Sequence, residues 1–152
     1  FLIGTLRGLA AYTNQRVRLR IDTGGKGDGA IVEEELLVNT VAVANGRFFG
    51  GGMKVAPNAL LDDGLFDVVI MGDINLATFV MNSRRVYAGT HLTLPEIRCI
   101  RAVRVEAEPV GTAAVLIDLD GEQPGKLPVR YDIIPGILRV FAPWSSKTAS
   151  KA

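Results

Sequence analysis

Arg16-Val17-Arg18-Leu19-Arg20-Ile21-Asp22 alternates a charged residue with an aliphatic one over seven positions. Successive side chains on a strand point to opposite faces, so this spacing predicts a β-strand with its arginines in water and Val17, Leu19 and Ile21 in a core. A sheet wetted on one side is the antiparallel kind. The three arginines read as a solvated sheet face in preference to an anion site.

Outward from that strand the pattern continues. On the N-terminal side, Phe1 to about Thr13 has Leu2, Leu6 and Leu9 at three-to-four spacing, which predicts a short helix. On the C-terminal side, Thr23 to Ala30 holds Gly24, Gly25, Gly27 and Asp28-Gly29 and reads as a hairpin loop. A phosphate-cradling loop would need a Lys-Ser/Thr pair opening a helix, whereas a strand follows here. Glu33 to Asn45 is one long extended stretch, Pro57 to Gly64 a loop, and Leu65 to Met71 a buried strand. Asn75 to about Tyr87 is the best interior helix, with Leu76, Phe79, Val80 and Val86 as its apolar face and Arg84 and Arg85 at the negative end of its dipole. Strands return over Ile97–Ala107, Ala113–Leu119, Lys126–Ile134 and Gly136–Phe141, and the tail from Ser145 reads as frayed. Val, Ile and Thr make up 36 of the 152 residues, a load that favours strands. The expected class is mainly β, an antiparallel sandwich-like domain with one or two short helices.

Composition removes several functions. Hydrophobic residues at 48% and a mean hydropathy of +0.25 exclude a disordered chain. No apolar run approaches the ~20 residues that span a bilayer. Seventeen Lys and Arg against 16 Asp and Glu leave a net charge of +1, too weak a field for nucleic acid. The single cysteine, Cys99, excludes an internal disulfide and a cysteine zinc cage, and it reads as a small core residue. His91 reads as a capping or surface residue. With no signal peptide recognisable, the expected setting is cytoplasmic. The chain opens on Phe1 in the middle of an apolar segment and reads as a piece of something longer.

Three segments stand out chemically. Asn45-Gly46-Arg47-Phe48-Phe49-Gly50-Gly51-Gly52-Met53 has three successive glycines, which suit a chain-bending loop or a close approach of backbone to a ligand, a strand or another domain. Leu60-Leu61-Asp62-Asp63-Gly64-Leu65 is an acidic turn; such turns are usually bare, though carboxylate and carbonyl oxygens are what hard cations take. In Asp118-Leu119-Asp120-Gly121-Glu122, Asp-Gly is a strong hairpin signal. If the strand runs to its end, all three carboxylates share one face, and one of them over a cleft would serve as a general base.

Taken in order, Ala44-Asn45-Gly46-Arg47 with Gly50-Gly51-Gly52-Met53, Ala56-Pro57-Asn58-Ala59 with Asp62-Asp63-Gly64-Leu65-Phe66-Asp67, Asp120-Gly121-Glu122 and Ile134-Pro135-Gly136-Ile137-Leu138 resemble the C-terminal domain of the diacylglycerol kinase-like lipid kinases. That group includes bacterial diacylglycerol kinases and the sphingosine and ceramide kinases. The resemblance implies the β-rich, lipid-side domain of the lipid kinase/NAD kinase-like two-domain fold over residues 1–144, with 145–152 a flexible tail and an N-terminal nucleotide-binding domain outside this chain. It implies transfer of the γ-phosphate of ATP to a lipid hydroxyl, with Glu122 as general base. Asn45, Gly46, Gly50, Gly51, Gly52, Asp120 and Gly121 would line the cleft. Asp63 with the carbonyls of Leu60 and Leu65 would hold a structural magnesium ion, a second magnesium travelling with ATP. The implied partners are a lipid substrate, the N-terminal domain and, peripherally, a membrane, with homodimerisation left open and nucleic acid excluded. The family's Gly-Gly-Asp-Gly-Thr motif does not occur, so the chain alone is expected to be inactive. Asp118 lies outside the family pattern. The nicotinamide-dinucleotide kinases share the two-domain plan, but the Asp120-Gly121-Glu122 ending argues against them. A non-catalytic β-sandwich that binds lipid or protein is the alternative.

Overall fold

The computed structural model describes residues 13–24, 31–139 and 141. The helix expected from Phe1 to Thr13, most of the loop at 25–30 and the tail from Ser145 lie outside the described residues. Nine strands form three antiparallel sheets, and the chain order is β1 (Gln15–Asp22), β2 (Ile31–Val38), β3 (Thr40–Ala44), β4 (Phe66–Met71), helix α1 (Leu76–Ala88), a 3-10 turn (His91–Thr93), β5 (Ile97–Ala102), β6 (Arg104–Pro109), β7 (Leu116–Leu119), β8 (Glu122–Lys126) and β9 (Val129–Asp132). The larger sheet runs β2-β1-β6-β9, the second β3-β4-β5, and β7-β8 is a separate two-stranded ribbon.

The arginine alternation fixes the larger sheet. Val17, Leu19 and Ile21 are buried, while Arg18 and Arg20 face solvent among acids on the neighbouring strands. In the pairing register Arg18 lies opposite Glu35 and Glu108, and Arg20 opposite Glu33 and Glu106. Arg18 pairs with Glu35 at 2.5 Å, Arg20 with Glu106 at 3.0 Å and Arg104 with Asp132 at 2.6 Å. Each opposite-charge pair across strands contributes roughly 0.2–1 kcal/mol, and a one-residue slip would both break the ladder and turn the arginines into the core.

The second sheet packs across this one through Val17, Leu19, Ile21, Val68, Ile70, Ala102 and Val105. Its other face carries Val69 and Met71 against Val55, Ala56, Ala59, Ile74, Val86 and Ile97. Strand β4 is therefore covered on both sides, which is why Val68–Met71 is an unbroken apolar run. Helix α1 is capped by Asn75, whose side chain accepts the Thr78 N–H at 2.9 Å, and ends on Gly89 in the left-handed region (φ +73). Val86 faces the core as expected, whereas Val80 is exposed.

Two expected strands prove to be pairs. Glu33–Asn45 breaks at Asn39, whose N–H lies 2.9 Å from the Met71 carbonyl and 3.0 Å from that of Gly72. Ile97–Ala107 breaks at Val103, whose N–H donates to the Asp22 carbonyl. At each break the chain crosses from one sheet to the other. Lys126–Ile134 is likewise split between β8 and β9, Ala113–Leu119 shortens to Leu116–Leu119, and the described part of Gly136–Phe141 forms no strand. On one side the sandwich is tied shut by Glu34 of β2 and Arg98 of β5, 2.6 Å apart.

Candidate functional site

The opposite side of the sandwich is open. A cavity of about 540 Å³ lies between the sheets, with Val17, Leu19, Val105 and Ala107 on one wall and Val41 and Val43 on the other. Its lining runs from fully buried residues such as Leu19 to exposed ones, so the mouth lies at the exposed end. That end is formed by two separate stretches, Asn45–Phe49 after β3 and Leu116–Asp120 in the β7-β8 ribbon. Tyr131 of β9 also reaches the cavity, and burial pushes its phenol above the ordinary value.

Asn45 and Gly46 therefore line the cavity, as does Asp120. The loop they begin is braced from within: Arg47 Nε donates to the Ala59 carbonyl at 3.0 Å, and the Ala56 N–H donates to the Arg47 carbonyl. Phe49 and Met53 exchange backbone hydrogen bonds of 2.9 and 3.1 Å across Gly50-Gly51-Gly52. Gly51 (φ +67) and Gly52 (φ +85) hold the left-handed conformations this tight hairpin needs. A Cβ at any of the three would meet no atom within 4 Å, so chain bending accounts for Gly51 and Gly52 and nothing in the fold requires Gly50. None of these glycines lines the cavity.

The second hairpin is a two-residue turn, with Leu119 opposite Glu122 and Asp120 (φ +53) and Gly121 (φ +89) at its centre. These are the paired positive angles that Asp-Gly supplies. Asp118 Oδ1 accepts the Gly121 N–H at 2.9 Å, which braces the turn and gives Asp118 a structural task. The strand thus stops short of Asp120, and the three carboxylates do not share one strand face. Glu122 opens β8 and is exposed, and its side chain forms no hydrogen bond or ion pair among the described residues. It does not line the cavity, although it is paired with Leu119, which does.

Asp63 sits at the turn before β4. Its Oδ1 accepts the Leu65 N–H at 3.0 Å, and its Oδ2 pairs with Arg101 of β5. Leu60 is exposed and Gly64 takes φ +71. A guanidinium already occupies the carboxylate where a cation would bind, so this arrangement does not fit a bound magnesium ion unless Arg101 withdraws. Among the described residues no three His, Cys, Asp or Glu side chains are placed to hold a metal. The acidic-turn and triple-glycine segments meet through Gly46, where a Cβ would lie 3.6 Å from Leu61 Cδ2.

Two further residues differ from expectation. His91 is fully buried, its Nε2 donating to the Val55 carbonyl at 2.9 Å, with Nδ1 unpartnered among the described residues. Cys99 is exposed on β5, and its thiol donates to the buried Asp67 carboxylate at 3.6 Å. Partial desolvation on the β5 surface, and then the Asp67 charge, push that thiol up to about 11, which makes it a poor nucleophile. Sequence reasoning missed the apolar rim at Phe48, Phe49, Leu116 and Leu119; the available signal was four large hydrophobic residues placed in or beside turns.

Residues 1–142 match the family described as the YegS C-terminal NAD kinase beta sandwich-like domain. The chain belongs to this family. A diacylglycerol kinase of Bacillus subtilis (strain 168) is 33% identical to this YegS-type C-terminal domain over 104 residues, 68% of this chain and 33% of the relative. A protein named "Probable lipid kinase YegS-like" from Xanthomonas oryzae pv. oryzae (strain MAFF 311018) is 31% identical over 140 residues, 91% of this chain and 45% of the relative. The YegS-type domain therefore spans between a third and a half of the length of these curated relatives. In fold it is similar to a diacylglycerol kinase from Bacillus anthracis str. Sterne, with a TM-score of 0.56 at 20% identity, over 86% of this chain and 43% of that one. Among the described residues of this YegS-type domain no helix is long and apolar enough to cross a membrane.

Proposed function

We propose that this chain is the lipid-side half of an ATP-dependent lipid kinase, and that the inter-sheet cavity holds an acyl tail of the substrate. The observation that carries the reading is the shared mouth: Asn45–Phe49 and Leu116–Asp120, distant in sequence, border one apolar cavity. Its volume lies in the ~300–1,000 Å³ range of small-molecule pockets. Each buried methylene contributes roughly 0.8 kcal/mol, so apolar burial would anchor the tail and leave the hydroxyl at the mouth.

An alcohol must lose its proton as it attacks phosphorus, and the rest of phosphoryl transfer is positioning and charge neutralisation. Glu122 is the carboxylate assigned to the proton. It is exposed beside the mouth and its side chain is unpaired among the described residues, so none of their bonds has to break before it accepts one. Asp118 and Asp120 have a different part, shaping the turn that sets where Glu122 stands. ATP with its magnesium would be held mainly by the N-terminal domain, for which the exposed Ile134, Ile137 and Leu138 offer an apolar docking edge. In this reading the chain alone transfers no phosphate. Magnesium at Asp63 is part of the proposal only with Arg101 displaced from that carboxylate.

Glu122→Gln in the whole enzyme tests the assignment. The expected result is a fall in kcat of roughly 10²–10⁴-fold with the lipid KM nearly unchanged and the fold intact. Unchanged turnover removes Glu122 from the role and favours a non-catalytic lipid- or protein-binding sandwich. ATP-dependent lipid phosphorylation by these 152 residues alone would refute the division of labour.

A further inference from the structure

Strand β9 alternates: Val129 and Tyr131 are half-buried and line the cavity, while Arg130 and Asp132 are exposed on the outer face. Across the sheet Val129 lies opposite Ala107 and Tyr131 opposite Val105, so the Tyr131 ring extends an aliphatic wall. A phenylalanine would extend it equally well; the tyrosine adds one hydroxyl to an apolar lining.

The other polar side chains around the cavity are engaged in the fold or stand at the mouth. At the corner where β2 passes into β3, Gln15 donates to the Thr13 carbonyl, Asn39 to Asn14 and Thr40 to Asn39. At the mouth Arg47 donates to the Ala59 carbonyl and Asp118 accepts the Gly121 N–H, while Asn45 and Asp120 stand where the substrate hydroxyl is left. Tyr131 belongs to neither group, and its hydroxyl has no hydrogen-bond partner among the described residues. A tyrosine hydroxyl drawn out of water normally finds a partner, and going without one costs free energy. The phenol, pushed up by burial, stays protonated and keeps its donor.

Resting on the acyl-cavity reading, we propose that Tyr131 is a specificity-determining residue whose hydroxyl donates to the carbonyl of the acyl chain held in the cavity. The substrate class is then an acyl lipid alcohol, ester- or amide-linked, in preference to an ether lipid or a sphingoid base. The linkage chemistry decides this. A methylene chain offers the hydroxyl nothing. A carbonyl oxygen is an acceptor with two lone pairs, and it sits on the first carbon of the tail, so it follows the tail inward while the free hydroxyl stays out. There it exchanges water for Tyr131, whereas a tail without a carbonyl leaves the phenol unpaired.

The test is calorimetric titration of the 152-residue chain with a matched pair, 1-octanoylglycerol and 1-O-octylglycerol, which share their free hydroxyls and chain length. Wild type is expected to bind the ester roughly three- to tenfold more tightly than the ether. Tyr131→Phe removes the hydroxyl and keeps the ring in the wall, so it should hold the ether as before and bind the ester no better. The carbonyl stretch of the bound ester should lie at lower wavenumber in wild type than in Tyr131→Phe, a signature that altered packing alone would not produce. N-octanoylserinol carries the carbonyl as an amide, and its affinity relative to the ester identifies the preferred linkage. Equal affinities for ester and ether in wild type, or an ester preference that survives in Tyr131→Phe, overturn the proposal and leave the cavity reading standing. Failure of the ether to shift the Leu19 and Ala107 methyl resonances of the wild type sinks the acyl-cavity reading itself, and the proposal with it.

Discussion

If the cavity holds one acyl tail, affinity for single-chain ligands is set by how many methylenes fit. A methylene takes about the room of a water molecule, ~30 Å³, so 540 Å³ holds about 18 of them when filled. Each contributes roughly 0.8 kcal/mol, close to a fourfold gain in affinity per carbon, until the space is exhausted. The expected titration of fatty alcohols is a steep rise with chain length and then a plateau near 16–18 carbons. Ala107 is the position to perturb: it is buried, lines the cavity and lies opposite Leu19 and Val129 on the neighbouring strands. A phenylalanine there fills space equivalent to roughly four methylenes and costs about 1–3 kcal/mol of stability if it overpacks. The plateau should move to 12–14 carbons in Ala107→Phe, with the slope below it unchanged. Calorimetric titration over an eight- to eighteen-carbon series reads both quantities. A flat series, or a plateau that stays put in Ala107→Phe while the melting curve shows a folded protein, would refute the acyl-cavity argument.

Three other outcomes follow from the same geometry. Arg130 and Arg104 hydrogen-bond the Asp132 carboxylate and hold it down to about 2. The folded value is the lower one, so its stabilisation is complete above the unfolded value near 3.8 and disappears as pH falls through about 2; Asp132→Asn should flatten that part of an acid-unfolding curve. Gly89→Ala must hold φ +73 with its Cβ 3.1 Å from Pro57 Cβ, and should lose about 1–2 kcal/mol in denaturant unfolding, while Gly50→Ala, with open space around it, should lose almost nothing. Arg101→Ala frees Asp63 and should tighten Mg²⁺ binding in calorimetry; the same weak isotherm as wild type would show that Arg101 does not gate that turn.

The larger sheet was legible because its signal is local: a period of two over β1, with complementary charges three strands wide. The corners were not, and the reason lies in the phase. Inward positions step from Val38 to Val41 and from Ala102 to Val105, three residues instead of two, because Asn39 and Val103 are each spent on the crossing between sheets. A run of β-branched residues hides such a slip, since either phase offers something apolar to bury. Gly136–Phe141 has strand composition but meets no strand among the described residues, which leaves Ile137 and Leu138 in solvent. His91 could not have been placed at all, because its acceptor, the Val55 carbonyl, lies 36 residues away. The site was legible in parts: each hairpin announced itself through Gly-Gly-Gly and Asp-Gly, but their meeting at one opening is a product of topology.

That topology also explains why an opening exists on one side only. Four strands face three, so the sheets cannot match edge to edge. At the β2/β5 edge the mismatch is closed by Glu34 and Arg98, and the polar knot of Asn14, Asn39 and Asp73 fixes the corner where β2 passes into β3. The surplus therefore appears beside the edge strand β9, whose Val129 and Tyr131 line the cavity, and the β7-β8 ribbon borders the gap without filling it. A well-packed sandwich would have ended β6 in a short turn to β9. Here the chain instead spends Val110 to Pro128 on an excursion that adds little buried surface, since every residue of β8 is exposed. An excursion that contributes so little to the core, yet carries the Asp120-Gly121-Glu122 turn to the edge of a large apolar cavity, is accounted for by what it does at that mouth.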